Sequence, residues 1–224
     1  MLLKAKEMSN PDGINDHNGQ NAKELAKGYK SIDRPAIYPR LYAHFKTASI
    51  QKTVLSILDI GCGSGNDAYA MASMGHQVVG VEPSDLYDIA VQDFSHPNIQ
   101  YRKGQLPSLN TIQQDETFDV ILLSAVLQYV SPQERVESLV KIAKLLKPKG
   151  QIFIFYPSPP SRPHQFEITL KDLEADIKTA NAQLSKSQQI YLTAERDILP
   201  DTRKRKNMNG DDLNFYSLIA KQKY

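Results

Sequence analysis

The chain has 224 residues, 41% of them hydrophobic and 23% charged, and its 27 Lys and Arg against 25 Asp and Glu leave a net charge of +2. That length suits one well-buried α/β domain with appendages and is too short for two full ones, and a charge so near balance excludes a partner selected by bulk electrostatics. A single cysteine, Cys62, excludes an intrachain disulfide, and no apolar run reaches the ~18 residues of a membrane span, so a soluble, cytoplasmic protein is expected.

Residues 1–20 are rich in Asn, Asp, Gly and Lys and hold the turn signal Asn10-Pro-Asp-Gly13, which predicts a flexible lead-in. Met1-Leu-Leu-Lys4 turns polar too early for the apolar core of a signal peptide. Residues 21–48 read as N-terminal helices. The first covers Asn21 to Lys30; in the second, Asp33 serves as N-cap, Pro35 and Pro39 sit in the first turns, and Ile37, Leu41, Tyr42 and Phe45 recur at helical spacing. The remainder, 49–224, reads as the main domain.

Val54 to Ile60 is an apolar, β-branched run followed by Gly61, Gly63 and Gly65 and then by an alanine-rich run that ends at Gly75, which predicts strand, tight loop and helix. Glycine at alternate positions lets a ligand lie against the main chain, and the helix starting near Asn66 offers unpaired N–H groups. Cys62 lies inside this loop, where a small packed side chain is expected rather than a nucleophile. A second strand, Gln77 to Val81, ends in Glu82-Pro83, and an acid about 20 residues past a glycine loop sits where such folds grip the hydroxyls of a ribose.

Ser84 can cap the next helix, with Asp85 and Asp88 in its first turn, and Ser95 to Asn98 turns the chain into a third strand, Ile99 to Arg102, with His96 exposed. Gly104-Gln105-Leu106 follows. Phe118 to Leu123 predicts a central parallel strand buried on both faces, whose C-terminal end carries Ser124, Ala125, Val126, Gln128 and Tyr129 toward a crevice. Ser131-Pro-Gln-Glu134 is a capping box, Lys147 to Gly150 ends the helix it starts, and Gln151 to Tyr156 forms a fifth strand. Pro157 to Pro163 is a stiff loop that either brings Arg162 and His164 over the crevice or serves as a linker. Leu170 to Ala180 predicts a helix, and Gln189 to Leu199 and Asn214 to Lys221 predict two last strands. The basic run Arg203-Lys-Arg-Lys206 between them is flanked by Asp201, Asp211 and Asp212 and reads as a solvated loop rather than a nucleic-acid contact.

Gly63-Ser-Gly65-Asn-Asp-Ala68 satisfies the G-x-G-x-x-G/A pattern of dinucleotide sites, so the pattern alone leaves a nicotinamide-dependent oxidoreductase open. Asp59 and Asp67, however, bracket the loop where a dinucleotide places its anionic pyrophosphate, and like charges at that range are unfavourable. S-adenosylmethionine carries an ammonium and a sulfonium there instead.

Leu58-Asp-Ile-Gly-Cys-Gly-Ser-Gly65, Val79-Gly-Val-Glu-Pro-Ser84, Thr117-Phe-Asp-Val-Ile-Leu-Leu-Ser-Ala-Val-Leu-Gln-Tyr-Val130 and Leu145-Leu-Lys-Pro-Lys-Gly-Gln-Ile-Phe-Ile154 together resemble, in order, four motifs of the class I S-adenosylmethionine-dependent methyltransferases. The likeness is greatest to the type 11 group that includes ubiquinone and menaquinone biosynthesis enzymes, and it spans Ala36 to Tyr156. It implies a Rossmann-like, doubly wound and mostly parallel seven-stranded sheet with a C-terminal antiparallel hairpin. It implies that Asp59, Gly61, Cys62, Gly63, Gly65, Glu82, Pro83, Gln105, Leu106, Ser124 and Ala125 hold S-adenosylmethionine, with Gln105 replacing the family's acid at the adenine. N-terminal helices in such enzymes cover the cofactor, which makes Tyr29, Arg34 and Tyr38 candidates for its methionyl end. Tyr129 stands where many relatives have histidine and is the candidate catalytic residue; packing is its other reading. The strand-four end has no [DN]-P-P-[FYW] arrangement, no paired glutamates and no carboxylate cluster for a metal, which leaves a small-molecule acceptor and no metal. A fold that has kept the cofactor site and lost catalysis is the remaining alternative.

Overall fold

The computed structural model describes residues 26, 30, 32–160, 164–200, 206, 207 and 209–222. The expected lead-in over 1–20, Tyr29, Arg162 and Arg203 to Arg205 lie outside the described residues, and of the first expected helix only Ala26 and Lys30 are described, both helical.

The elements from residue 34 onward are α1 (Arg34–Ile37), α2 (Pro39–Ile50), β1 (Ser56–Ile60), α3 (Asn66–Ser73), β2 (Gln77–Glu82), α4 (Leu86–Asp93), β3 (Ile99–Lys103), β4 (Phe118–Ser124), a 3-10 turn (Leu127–Tyr129), α5 (Pro132–Leu145), β5 (Leu146–Pro157), α6 (Leu170–Asn181), β6 (Ile190–Pro200) and β7 (Asn214–Gln222). The seven strands order as β3-β2-β1-β4-β5-β7-β6. β1 to β5 run parallel, and β7 and β6 close the sheet as an antiparallel pair.

Alternation along the strands explains the two-sided core. Leu58, Ile60, Ile121, Leu123, Ile152, Ile154, Leu218 and Ala220 face α5 and α6 through Leu139, Ile142, Leu173 and Ile177. Ile57, Val120, Leu122, Phe153, Phe155 and Ile219 face the other way, onto Leu41 and Phe45 of α2 and Ala68 and Met71 of α3. Each fully buried large apolar side chain contributes about 1.5 to 3 kcal/mol.

Local chemistry sets the element ends. Asp33 accepts from the Ala36 N–H at 3.3 Å and starts α1. Ser131 and Glu134 form the expected capping box of α5, and Thr169 and Asp172 form a second one at α6. α5 ends at Leu145, and the chain enters β5 at once, five residues before the expected strand start. The register shift between Phe118 and Val120 accommodates the extra residues, with Lys149 at φ 70. His96, expected to be exposed, is half-buried, its Nδ1 accepting from the Asn98 N–H at 3.1 Å and its ring edge-on to Tyr69.

Strand order reverses between β1 and β4, so the carboxyl ends of β1, β2 and β4 surround one crevice. β7 starts at this same edge, with Phe215 opposite Pro157.

Candidate functional site

The glycine loop is clamped onto the end of β2 by Gly61 and Cys62 N–H groups donating to the Val81 carbonyl at 2.7 and 3.0 Å. Gly61 has φ +70, and a Cβ there would lie 2.5 Å from Val126 Cγ2, so the segment leaving β4 covers the loop only because this position is glycine. Gly65, at φ +83, opens α3 and would meet the Tyr101 hydroxyl at 2.5 Å. Tyr101, which sequence reasoning missed, props the loop from below: its hydroxyl donates to the carbonyls of Phe94 at 3.1 Å and Gly65 at 3.4 Å. The available signal was Gly80. A glycine inside a strand marks a close approach, and here Tyr101 and Cys62 fill the space above it.

Two buried acids and one half-buried acid converge on the loop. Glu82 is 5% exposed; its Oε2 accepts from the Gly63 N–H at 2.9 Å, and its Oε1 from the Ser84 N–H at 3.0 Å and hydroxyl at 2.5 Å. Asp59, on β1, is 1% exposed, and its Oδ2 has no partner among the described residues. Asp67, in the first turn of α3, pairs with the Arg34 guanidinium and accepts from the Tyr38 hydroxyl at 3.4 Å. Burial first, then the neighbouring charges of Asp67 and Glu82, push the Asp59 carboxyl well above its ordinary range, with Arg34 opposing. Burial also raises Asp67 against Arg34, and raises Glu82 against its hydrogen bonds to Ser84 and Gly63. Three acids with one nearby guanidinium make a site that favours added positive charge and disfavours a pyrophosphate.

α1 and α2 close one side of this crevice. Tyr38, at their junction, packs on Phe155 with ring centroids 4.5 Å apart, and its hydroxyl is 2.6 Å from Ser124 Oγ at the end of β4. Burial and Asp67 hold this phenol protonated well above the usual tyrosine range, so it offers a hydrogen bond rather than a base. Arg40, two residues on, forks onto Asp197 of β6 at 2.6 and 3.0 Å. The same helices therefore hold the sheet at two places.

Of the residues singled out from the sequence, the structure brings together Asp59, Gly61, Cys62, Gly63, Gly65, Glu82, Ser124, Arg34 and Tyr38. Ala125 lies beside them at φ +56, its N–H donating to the Phe155 carbonyl at 2.7 Å. Pro83 links Glu82 to Ser84. The Cys62 thiol is buried, and burial with the adjacent Asp59 pushes its pKa well up, which fits packing and not nucleophilic attack. Leu106 belongs to the core beside Val81, whereas the Gln105 side chain is exposed. Tyr129 is half-buried, and its hydroxyl accepts from Gln165 Nε2 at 2.9 Å. Gln165 and Phe166, after the expected stiff loop, thus lie across the strand-four exit, the Phe166 N–H donating to the Gln128 carbonyl at 2.7 Å. Gln165 is the second residue that the sequence did not reveal.

Comparisons with known proteins agree with this geometry. Residues 57–150 match the family model described as a methyltransferase domain. The ubiquinone biosynthesis O-methyltransferase of Rhizobium etli is 33% identical over 101 residues, which cover 45% of this chain and 40% of that one. The tRNA U34 carboxymethyltransferase of Pseudoalteromonas translucida is 31% identical over 101 residues, 44% of this chain and 31% of that one. The chain thus spans about two fifths or less of the length of these curated relatives. Among solved structures, 1,6-didemethyltoxoflavin-N1-methyltransferase of Burkholderia thailandensis, which contains S-adenosylhomocysteine, aligns with TM-score 0.59 and 16% identity over 99% of this chain and 92% of that one. Residues 57–150 thus match a methyltransferase domain, and the β3-β2-β1-β4-β5-β7-β6 sheet gives the chain the fold of the solved S-adenosylmethionine-dependent methyltransferases with which it aligns.

Proposed function

We propose that the protein binds S-adenosylmethionine at the glycine loop and transfers its methyl group to a small-molecule acceptor at the β4 exit. The observation that carries this reading is the unpartnered, buried Asp59 Oδ2 among three carboxylates, a site that fits a ligand carrying an ammonium and a sulfonium. When bound, S-adenosylmethionine supplies a methyl group on positive sulfur, already activated for in-line displacement.

The chain's own residues then hold, orient and exclude water. Asp59 takes the ammonium. Glu82 takes a ribose hydroxyl with the one Oε2 lone pair that Gly63 and Ser84 leave open. In this reading Arg34, next to Asp67, meets the ligand's carboxylate, Tyr38 with Ser124 closes the methionyl side, residues 21–48 serve as a cap on the cofactor site and 49–224 as the methyltransferase domain. Gln105, which is exposed, takes the adenine in this reading, with Leu106 as apolar support. Tyr129 orients the acceptor. No helix among the described residues is long and apolar enough to cross a membrane, and the lone thiol suits the cytoplasm. A near-neutral chain and an acidic crevice favour a small acceptor over a nucleic acid, although one relative is named for tRNA.

Calorimetric titration and thermal melting with S-adenosylmethionine, S-adenosylhomocysteine and NADH test the reading. Both adenosyl ligands should bind, adding about 2.7 kcal/mol at 100 times their Kd, and Glu82→Ala should abolish it. Binding of NADH alone would return the site to an oxidoreductase. Binding of the adenosyl ligands with no turnover on any acceptor in cell extract would leave a non-catalytic cofactor-binding protein.

A further inference from the structure

We propose that Gln128 recognises the methyl acceptor, and that the acceptor is an uncharged small molecule offering an O–H or N–H to the Gln128 carboxamide. The inference rests on the methyltransferase reading above.

Gln128 sits in the 3-10 turn directly after β4, two residues past Val126, whose side chain covers Gly61. It is 1% exposed, yet its Oε1 has no hydrogen-bond partner among the described residues. A buried polar atom without a partner is unfavourable by about 1 to 3 kcal/mol, so such a group calls for a reason. Its backbone carbonyl accepts from the Phe166 N–H at 2.7 Å. The neighbouring Tyr129 hydroxyl accepts from Gln165 Nε2 at 2.9 Å. The segment after β5 is therefore tied to the turn at two successive residues, Gln128 and Tyr129.

The chemistry of the place selects the acceptor's charge. Gln128, Tyr129 and Gln165 present amides and a hydroxyl, and Asp59 and Glu82 at the neighbouring strand ends and Asp67 in the first turn of α3 would meet a carboxylate or phosphate on the acceptor with like charge. An orphaned carbonyl acceptor is complemented by a neutral donor. A site built to bind an O–H or N–H also rejects analogues that lack it.

The test uses the full chain, with catechol as the O–H probe, aniline as the N–H probe and benzoate as the anionic comparator. Methylation is read as S-adenosylhomocysteine release. Wild-type protein should turn over catechol or aniline and not benzoate. Gln128→Leu should bind S-adenosylhomocysteine as the wild type does, melt at the same or a higher temperature, and show a KM for the accepted probe raised about tenfold with a smaller change in kcat. Gln128→Met fills the same volume with a more adaptable side chain and is the second variant. If both variants melt several degrees lower, the amide is a structural group and the proposal fails. It fails equally if the KM is unmoved, or if a wild type that binds S-adenosylhomocysteine turns over benzoate or none of the three probes. A wild type that does not bind S-adenosylhomocysteine removes the methyltransferase reading itself.

Discussion

At the scale of the residue, Asp59 is a buried acid held at the expense of stability. Its carboxyl is buried without a partner and its pKa is raised, by burial first and then by Asp67 and Glu82. A raised carboxylate pKa means that folding disfavours the ionised form. The stability contribution of this group is thus fully present below the unfolded pKa near 3.8 and is lost as pH rises through the higher folded value. Asp59→Asn should therefore raise the melting temperature of the ligand-free protein at pH 7 while removing most of the stabilisation given by S-adenosylmethionine. In the wild type the Kd should weaken as pH falls through the raised folded value, since the protonated acid no longer pairs with an ammonium; in Asp59→Asn that dependence should be flatter. Calorimetry across this range checks both, and a variant that keeps wild-type affinity would show that Asp59 faces no cation. Asp59 and Glu82 were legible because motif spacing places them. The partnership of Asp67 with Arg34, 33 residues away, was not, because nothing local in either stretch encodes it.

At the scale of the element, α1 and α2 are worth more to the site than their length suggests. They are held by apolar packing of Leu41 and Phe45, by Tyr38 on Phe155, and by polar ties at Asp67, Ser124 and Asp197. Tyr38→Phe keeps the ring contact and removes only the hydroxyl, leaving Ser124 and Asp67 to find other partners. It should lower stability by about 1 kcal/mol, a fall of about 2 to 4 °C for a domain of this size, and weaken cofactor binding severalfold. Arg40→Ala breaks a pair whose side chains are each about a third exposed, so its effect should stay within about 0.2 to 1 kcal/mol, with cofactor affinity unchanged. Thermal melting and titration of the two variants separate a cap that acts through Tyr38 from one that acts by general docking. Element order was readable from periodicity, caps and breakers. The immediate passage from α5 into β5 was not, because Lys147-Pro-Lys-Gly150 reads locally as a breaker, and only the register against β4 draws it into the sheet.

At the scale of the whole molecule, the matched stretch 57–150 leaves part of both cores outside it. It ends inside β5, before the residues Ile152 to Phe155 that carry both cores. β7 pairs with β5 along seven positions, and its Leu218 and Ile219 are buried on opposite faces of the sheet, while α6 adds Leu173 and Ile177. A chain cut after Pro157 loses these four large side chains from the core, roughly 6 to 12 kcal/mol of burial. A natural domain has a net stability of only about 5 to 15 kcal/mol, so the loss is of the same size as the whole margin. It also leaves β5 as a long apolar edge, open to pairing with other chains. The shortened protein should show no cooperative thermal transition by circular dichroism and should aggregate, whereas the full chain should melt in one step that S-adenosylmethionine moves upward. A cooperative melt in the shortened protein, shifted by the same ligand, would mean that the motif-bearing half folds alone and that the hairpin serves only the acceptor side.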